Sequence, residues 1–185
     1  MFFPMDWPDW GETESWIKIN GQSLPLGAGQ GVQQTYEKEE MGQLERALDG
    51  GLVFMGIPDL GFRLATTLSC DGYFVPHMFM LNPWDQVELE CGLPLYMPGQ
   101  VDPADLIRPH VAGSIRYFEN AQRGDQFYLR AIGGEGMAAD PRVVWTGFRP
   151  KLIVHPVSSS YSGNEFSKKK SWSWDFREHK DAREL

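Results

Sequence analysis

The chain has 185 residues, a formal net charge of −8 at pH 7 and a sequence pI of about 5.0. A chain of this length can bury enough apolar surface for one ordinary domain without disulfide support. The acidic balance argues against nucleic acid as a partner, because nucleic-acid affinity rests largely on clustered lysine and arginine.

Charge is divided unevenly along the chain. Residues 1–100 hold 4 basic and 14 acidic side chains, a net −10, whereas residues 101–185 hold 13 basic and 11 acidic side chains, a net +2. Halves of opposite sign can attract one another between copies of the chain and favour head-to-tail association. Unequally solvated faces explain the same counts.

The cysteine content and the N-terminal segment indicate in which cellular compartment the chain is expected to fold. Cys70 and Cys91 are too few for a disulfide scaffold and match no zinc-ligand spacing, so we expect two buried thiols, and the sequence leaves open whether they pair. The opening MFFPMDWPDW lacks a basic segment and is broken by Pro4 and Pro8, unlike a signal peptide. No run of about 18 apolar residues occurs, so we expect no membrane span and, by default, folding in a cytoplasm.

Turn signals recur at short intervals. Glycine and proline number 20 and 13, and aromatic residues make up 13% of the chain. Pairs such as Asn20-Gly21, Asp71-Gly72 and Gly163-Asn164 separate short runs rich in valine, threonine and aromatic residues, a pattern that predicts strands joined by tight turns. We therefore predict a mostly β fold, an antiparallel β-sandwich or small barrel with at most short helices.

The first 26 residues differ from the rest. Trp7, Trp10 and Trp16 lie among proline and acidic residues with no sustained period, so we predict an extended arm over 1–26 and a β domain over 27–185. Exposed tryptophan is a liability on an isolated arm. These rings should dock on a neighbouring chain or fold back over the core, and the sequence does not distinguish the two.

Residues 32–56 fit two patterns. Met41, Leu44 and Leu48 have the spacing of one helix face. The same stretch can form a hairpin across Asp49-Gly50. The pattern alone does not separate the two structures.

Two runs between 62 and 92 place a side chain suited to burial at every second position. The first run comprises Leu64, Thr66 and Leu68, and the second comprises Val87, Leu89 and Cys91. Alternation of this kind predicts strands with one buried face. The loop between the runs carries large side chains that can cap an open end of the sheet, namely Tyr73, Phe74, Met78, Phe79 and Met80.

Further elements follow along the chain. Asp102-Pro103 should begin a single helical turn with the aspartate as N-cap, ended by Pro109. The sequence of residues 125–133 predicts a strand. Pro150 and Pro156 cannot donate ladder hydrogen bonds, so the stretch around them should be an edge, bulged or broken strand.

The run SKKKSWSWDFREHKD, residues 167–181, places aromatic rings in strict alternation. Trp172, Trp174 and Phe176 should project from one face of a last strand and belong to the core. Each ring buries about 150 Å² or more, which contributes roughly 2–3 kcal/mol apiece. Trp84 is assigned to the core as well.

No set of residues predicts catalysis. The four histidines, His77, His110, His155 and His179, have no metal-ligand spacing and should be separate loop or surface residues. The runs GAGQG and GGEG complete neither a dinucleotide fingerprint nor a P-loop. We therefore expect no catalytic residue, no metal site and no cofactor.

Two weaker possibilities concern carbohydrates. Glu88 and Glu90 lie on one face of a strand about 7 Å apart, which suits an inverting glycosidase, although their alternation with Val87 and Leu89 favours a solvated face. Aromatic rings on a β scaffold also suit a carbohydrate-binding module, because planar rings stack on sugar faces. A carbohydrate-binding β module is the alternative function.

The segment RLATTLSCDGYFVPHMFMLNPWDQVELEC, residues 63–91, resembles part of a family of small tail-tip or baseplate structural proteins of long-tailed, siphovirus-like bacteriophages. That family reads roughly R-x-T-T-I-S-G-x-G-W-x-P-P-x-L-x-x-L-D-W-S-Q-P-x-x-L-x-C there. Residues in comparable order are Thr66, Thr67, Ser69, Gly72, Pro76, Trp84, Asp85, Gln86, Leu89 and Cys91. The run KSWSWDFREH resembles the family's closing motif, Y-S-W-x-L-x-A-E-E, whereas Cys70 stands where the family usually has glycine.

The resemblance implies a structural component of a virion in the distal tail, between the tail tube and the host-facing hub. It implies a ring-like homo-oligomer, with tube and hub proteins as further partners, assembled in the cytoplasm of the bacterial host. It also favours strands over residues 43–55. We expect contacts with other proteins to involve Trp7, Trp10, Trp16, Tyr73, Phe74, Met78 and Phe79.

Overall fold

A computed structural model describes residues 17–24, 31–39, 42–46, 52–56, 62–72, 81–83, 85–163 and 170–179. The strands are β1 (Lys18–Ile19), β2 (Gln22–Ser23), β3 (Gln33–Glu39), β4 (Gly42–Arg46), β5 (Leu52–Gly56), β6 (Arg63–Gly72), β7 (Val87–Glu90), β8 (Leu95–Pro98), β9 (Arg116–Arg123), β10 (Gln126–Gly134), β11 (Trp145–Phe148), β12 (Lys151–Gly163) and β13 (Lys170–Glu178). Helical structure in these ranges is limited to one 3-10 turn, Pro103–Asp105. The predicted mostly β, antiparallel fold with at most short helices is confirmed.

The chain divides into two compact units. The described part of the first unit comprises residues 17–24 and 88–152, and that of the second comprises the described residues of 31–87 and 153–179. In neither range does the structure contain a helix long and apolar enough to cross a membrane. The predicted arm, residues 1–26, lies mostly outside the described residues.

Four strands of the second unit form an antiparallel sheet in the order β12-β13-β6-β3. The last strand of the chain, β13, therefore lies inside this group of four. Its register places Trp174 opposite Leu68 and Phe176 opposite Thr66 on β6. Alternation on both strands thus directs large apolar side chains to the same face.

That face carries the apolar core of the sheet. Trp172, Trp174 and Phe176 are all buried, as are Leu64 and Leu68 on β6. The rings contact one another along the strand, with centroids 5.4 Å apart between the two indoles and 6.0 Å apart between Trp174 and Phe176. The predicted core role of the three rings is confirmed, whereas Trp84 lies outside the described residues.

Proline interrupts the last hairpin as expected. Pro156 on β12 pairs with Phe176, and the register shifts between Pro156 and Ser158 in a β-bulge. A bulge accommodates proline because the inserted residue leaves the hydrogen-bond ladder there. Pro150 precedes β12 and forms an isolated bridge to His110, and its carbonyl accepts a hydrogen bond of 3.0 Å from the N–H of Cys91. The prediction of an edge, bulged or broken strand is confirmed.

The ambiguous stretch after residue 32 is β throughout its described parts. β3 precedes a hairpin of β4 and β5, in which Gly42 pairs with Gly56 and Arg46 with Leu52. The helix alternative is therefore wrong, because Leu52–Gly56, which contains a valine and a phenylalanine suited to a strand, pairs with Gly42–Arg46. The predicted turn residues Asp49 and Gly50 lie outside the described residues.

A separate sheet occupies the first unit, with the antiparallel order β10-β9-β11-β8. The strand predicted over 125–133 is confirmed as β10. A cluster of buried side chains packs against this sheet, comprising Ile115, Tyr117, Val143 and Phe148. Gly124 has φ of +61° in the β9–β10 turn, a conformation that favours glycine.

The turn pair Asn20-Gly21 joins β1 to β2 as predicted. Both residues have positive φ, 50° and 75°, which is the requirement of a tight hairpin turn. β1 also pairs with β7, with Ile19 opposite Leu89. The side chain of Asn20 accepts a hydrogen bond of 2.9 Å from the backbone N–H of Glu88, so the turn residue also fixes the strand beside it.

The short helical turn differs in detail from its prediction. Asp102 makes no side-chain cap, and instead the N–H of Asp105 donates to the Asp102 carbonyl over 2.9 Å. Leu106 is already extended, so the turn ends before Pro109. The Asp102 backbone carbonyl, rather than its side chain, therefore accepts the hydrogen bond of this turn.

Candidate functional site

The side chains predicted to contact other proteins lie outside the described residues. They are Trp7, Trp10, Trp16, Tyr73, Phe74, Met78 and Phe79. Their role in contacts stays a prediction.

A polar surface, here called the serine face, covers the side of the β12-β13-β6-β3 sheet opposite the buried rings. Three rows of side chains cross it, each row taking one residue per strand. The outer row comprises Ser162, Ser171 and Asp71; the middle row Ser160, Ser173, Ser69 and Gln33; the inner row Ser158, Asp175, Thr67 and Thr35.

The bulge in β12 decides which of its residues reach the serine face. Before the bulge, His155 pairs with Arg177 and shares its face; after it, Ser158 pairs with Asp175. The extra residue therefore changes the parity of β12 from odd to even. Without it, Tyr161 rather than the even-numbered serines would point to this side.

Three members of the inner row form hydrogen bonds with one another. Thr67 Oγ1 donates to Asp175 Oδ1 over 2.7 Å, and Ser158 Oγ donates to the other carboxylate oxygen of Asp175. One carboxylate thus joins three adjacent strands. Such a closed set of hydrogen bonds stabilises the sheet and leaves little capacity for a ligand.

The outer and middle rows line an open pocket of about 360 Å³, here called the serine pocket. Ser162 and Ser171 share a hydrogen bond of 2.5 Å. The side chains of the middle row make no hydrogen bond to any other residue that the structure describes. In the outer row two serine hydroxyls thus bond to each other, whereas the middle row presents its hydrogen-bond donors and acceptors to the pocket.

The described lining of the serine pocket is mostly polar and carries little charge. Asp71 is its one charged side chain among the described lining residues. Tyr161 is 54% exposed, but it pairs with Trp172, so its ring points to the face opposite the serines and only its backbone borders the pocket. Cys70 lies at the pocket as well, and burial raises the pKa of its thiol, with a further increase from the charge of Asp71. Cys70 and Cys91 are both buried, as predicted, and form no disulfide with each other.

A second polar cluster contradicts the prediction that the histidines are separate. His155 Nε2 and His179 Nδ1 are 2.8 Å apart, and the two rings meet edge to face. His155 Nδ1 lies 3.2 Å from the carbonyl oxygen of Asp85, and Gln86 Nε2 lies 3.2 Å from His179 Nε2. The backbone bond from His179 N to Ile153 O explains the meeting, because it extends the β12–β13 register to the two rings.

This cluster fixes the position of each imidazole proton. A carbonyl oxygen can only accept, so His155 Nδ1 must carry a proton. In a neutral ring His155 Nε2 then accepts from His179 Nδ1–H, and His179 Nε2 accepts from the Gln86 amide. Two neutral rings, each protonated on Nδ1, therefore satisfy the whole chain of contacts. The sequence signal for this cluster was that His155 lies near the start of β12 and His179 directly follows β13, which places both at the open end of the same hairpin.

The carboxylates considered for glycoside hydrolysis have ordinary structural partners. Glu88 Oε2 lies 3.0 Å from Lys151 Nζ, and Glu90 pairs across the sheet with Lys18. Val87 and Leu89, which alternate with the two glutamates along the strand, are buried as predicted. The arrangement is that of a strand with one solvated face.

A charged network lies on the first unit. Glu119 is buried and forms an ion pair with Arg130, and its other oxygen lies 3.9 Å from Arg142. Arg142 also binds Asp140, with 2.7 Å between Nη2 and Oδ2. Hydrogen bonds from the Arg142 side chain and backbone lower the pKa of Asp140 to about 2.

Sequence reasoning missed three exposed aromatic rings. Phe127 and Trp145 on the first unit are 61% and 39% exposed, and Tyr161 lies on the second. The sequence around these rings shows no alternation of apolar and polar residues that would have indicated which face each ring occupies.

Among the residues described, no three or more histidine, cysteine or acidic side chains are grouped to hold a metal ion. No family model, curated protein or solved structure matches the chain.

Proposed function

We propose that the protein is a structural component of a tailed-bacteriophage virion. In this proposal it forms part of the distal tail and joins the tail tube to the host-facing hub. Its contacts are with copies of itself, in a ring-like homo-oligomer, and with the tube and hub proteins.

The observation that carries the proposal is the pairing of the two segments that resemble the tail-protein family. The first segment contains β6, and the closing motif is β13. These strands pair over eight positions, from Lys170 opposite Gly72 to Arg177 opposite Ala65. Segments that are about 100 residues apart in the sequence thus form one piece of sheet, which supports treating them as parts of a single structural motif.

Other residues of the resembling segment have definite structural roles. Thr66 is buried, and its hydroxyl donates to the carbonyl of Thr35 over 2.9 Å. Asp85 and Gln86 hold the two ends of the histidine cluster. The resemblance therefore falls on residues that tie strands together, which is the property expected of a rigid assembly subunit.

Exposed rings add support from surface chemistry. Phenylalanine, tyrosine and tryptophan are enriched in protein interfaces relative to other surfaces. Phe127 and Trp145 are such rings on the sheet of the first unit. Covering them in an assembly removes apolar area from water.

Mass photometry of the purified full chain tests self-assembly, and electron microscopy of the same sample tests ring formation. We expect a discrete oligomer whose population rises with protein concentration. Mass spectrometry of purified phage particles from the source of the sequence should detect the chain at a fixed ratio to the tail-tube protein. A monomer at every concentration, combined with absence from purified particles, would overturn the proposal.

Deleting residues 1–16 tests the predicted arm separately. The shortened chain should keep the circular-dichroism spectrum of the full chain but fail to enter tails in a complementation assay. Asn120→Ala, at an exposed position of β9, leaves both the arm and the exposed rings intact and should enter tails normally. Normal incorporation of the shortened chain would show that the arm is not needed for assembly into tails.

A further inference from the structure

We propose that the outer edge of β10 pairs with β10 of a second copy of the chain. The two strands run antiparallel about a two-fold axis, and two sheets of the order β10-β9-β11-β8 become one continuous sheet. This contact does not depend on the virion role. It also differs from the head-to-tail contact of a ring, because a two-fold contact closes with two copies.

β10 is an edge strand of the sheet in the first unit, and β9 is its one strand neighbour in the described part of the chain. Sheet edges are ordinarily protected from pairing by charge, by proline or by shortness. The edge strand β3 ends in three charged residues, 37–39, and the edge strand β8 has four residues and ends at Pro98. β10 has nine residues, and its one charged side chain, Arg130, is bound to Glu119. The long backbone edge of β10 is therefore open to a partner strand.

The register of the β9–β10 hairpin shows which backbone groups of β10 point outward. Arg123 and Gln126 flank a two-residue turn, so this pair exchanges both of its backbone hydrogen bonds. Hydrogen-bonded and non-hydrogen-bonded pairs alternate from there. The N–H and C=O groups of Phe127, Leu129 and Ala131 therefore point away from β9. None of these groups has a hydrogen-bond partner among the residues that the structure describes.

One antiparallel register lets these three residues pair on both copies. It places Leu129 opposite Leu129 of the second copy, and Phe127 opposite Ala131. The three pairs would exchange about six hydrogen bonds between the chains. The β9–β10 turn bounds this segment on one side, and the bulge between Ala131 and Gly133 bounds it on the other.

The side chains are self-complementary in the same register. Phe127, Leu129 and Ala131 share one face of β10 because they alternate along the strand. Phe127 is 61% exposed and Ala131 is exposed, so a large ring would lie beside a small side chain on either side of a central leucine pair. Aromatic and aliphatic pairs of this kind stabilise sheets. On the other face Arg130 would lie opposite Tyr128, so no like charges face each other directly.

Cysteine cross-linking of the full chain tests both the contact and its register. Leu129→Cys should give a disulfide-linked dimer under mild oxidation, because the two Cα atoms would be about 5.5 Å apart. Asn120→Cys is the matched control, since Asn120 is exposed and lies directly opposite Leu129 on β9. Its two copies would be three strand spacings apart, about 14 Å, and should not cross-link. Equal cross-linking of the two variants would contradict the register.

Charge at the two-fold position provides a second test, measured by analytical ultracentrifugation. Leu129→Lys and Leu129→Glu should each weaken dimerisation at least about tenfold, because like charges would meet across the axis. An equimolar mixture of the two variants should recover the dimer, because opposite charges then meet. Asn120→Lys adds the same charge one strand away and should dimerise as the unchanged chain does. Circular dichroism checks that all variants are folded.

A full chain that stays monomeric at every concentration would overturn the strand pairing. Dimerisation unaffected by Leu129→Lys would overturn it as well, since another surface would then form the contact, and so would a mixture that does not recover the dimer. The ring is judged separately. A dimer that depends on Leu129 but never enters larger species would support the strand pairing and count against the ring.

Discussion

The backbone N–H of Leu64 on β6 donates a hydrogen bond of 2.8 Å to Oε2 of Glu178, the last residue of β13. Glu178 is only 4% exposed and continues the series of buried positions that contains Trp172, Trp174 and Phe176. The last registered pair of β6 and β13 is Ala65 with Arg177. Beyond that pair the carboxylate provides the acceptor for a buried amide.

Replacement of Glu178 by alanine should destabilise the protein by about 1–3 kcal/mol, because it leaves the Leu64 N–H buried without its acceptor. Glu178→Gln keeps a carbonyl oxygen at the same distance along the side chain and should lose less. Urea unfolding gives the two free energies, and hydrogen exchange at Leu64 should accelerate mainly in the alanine variant. Equal losses in the two variants would show that the acceptor is not the cause.

Alternation predicts one face of β13 but not the chemistry at its end. Trp172, Trp174 and Phe176 are expected in the core because period-two apolar residues need one buried face. Glu178 stands at the next position of the same series, where a carboxylate is ordinarily solvated. Its burial depends on a hydrogen bond to a strand 114 residues away in the chain, which no local pattern contains.

The serine face was only partly predictable for a related reason. Pro156 indicated an irregular strand, and the structure has a bulge at that point. The position of the bulge decides whether Ser160 or Tyr161 shares a face with Ser173. A shift of one residue exchanges the two faces of a strand, so a correct strand prediction still left the surface undetermined. The histidine cluster needed the same register and was missed.

Gly147 on β11 lies between two aromatic rings. A Cβ atom there would be 2.8 Å from Tyr96 Cε1 and 2.9 Å from Phe118 Cε2, and the two ring centroids are 5.8 Å apart. Gly147→Ala should therefore destabilise the protein by about 1–3 kcal/mol through overpacking, despite the smaller backbone entropy of the unfolded chain. Thermal and urea unfolding provide the measurement.

A matched variant and a rescue isolate this steric cause. Asn120→Ala, at an exposed position of β9 in the same sheet, should change the stability by less than about 0.5 kcal/mol. Phe118→Leu should make the added methyl group of Gly147→Ala less costly, so the double variant should be more stable than the sum of the single changes implies. Strict additivity would contradict the proposed clash.

The histidine cluster predicts an unusual proton distribution that NMR can observe. At neutral pH, His155 and His179 should both be protonated on Nδ1, because the chain of contacts ends at the carbonyl of Asp85. Long-range proton–nitrogen correlations of the ¹⁵N-labelled protein distinguish the tautomers. Gln86→Leu should leave the tautomer of His155 unchanged. A neutral His155 protonated on Nε2 would contradict the donation from Nδ1 to the Asp85 carbonyl.

Asp140 should titrate well below the usual range of an aspartate. The Arg142 side chain donates to both carboxylate oxygens and its backbone N–H donates to Oδ1 over 2.9 Å, which lowers the pKa of Asp140 from 3.8 to about 2. Because the folded-state pKa is the lower one, this interaction stabilises the folded protein above about pH 4 and is lost as the pH falls through about 2. Carbon-13 NMR of the Asp140 carboxyl should give a midpoint near 2.

Arg142→Gln should raise that midpoint towards 3.8 without restoring it fully, since the backbone N–H of residue 142 remains a donor. It should also make the folded state less stable above about pH 4 relative to the unchanged protein, and this difference should shrink as the pH falls from about 4 to about 2. Arg123→Gln alters the charge of the same unit without touching Asp140 and should leave the midpoint in place. A wild-type midpoint near 3.8 would show that the Arg142 hydrogen bonds do not lower the pKa of this carboxyl. An equal response to both substitutions would show that general positive charge, rather than these hydrogen bonds, lowers it.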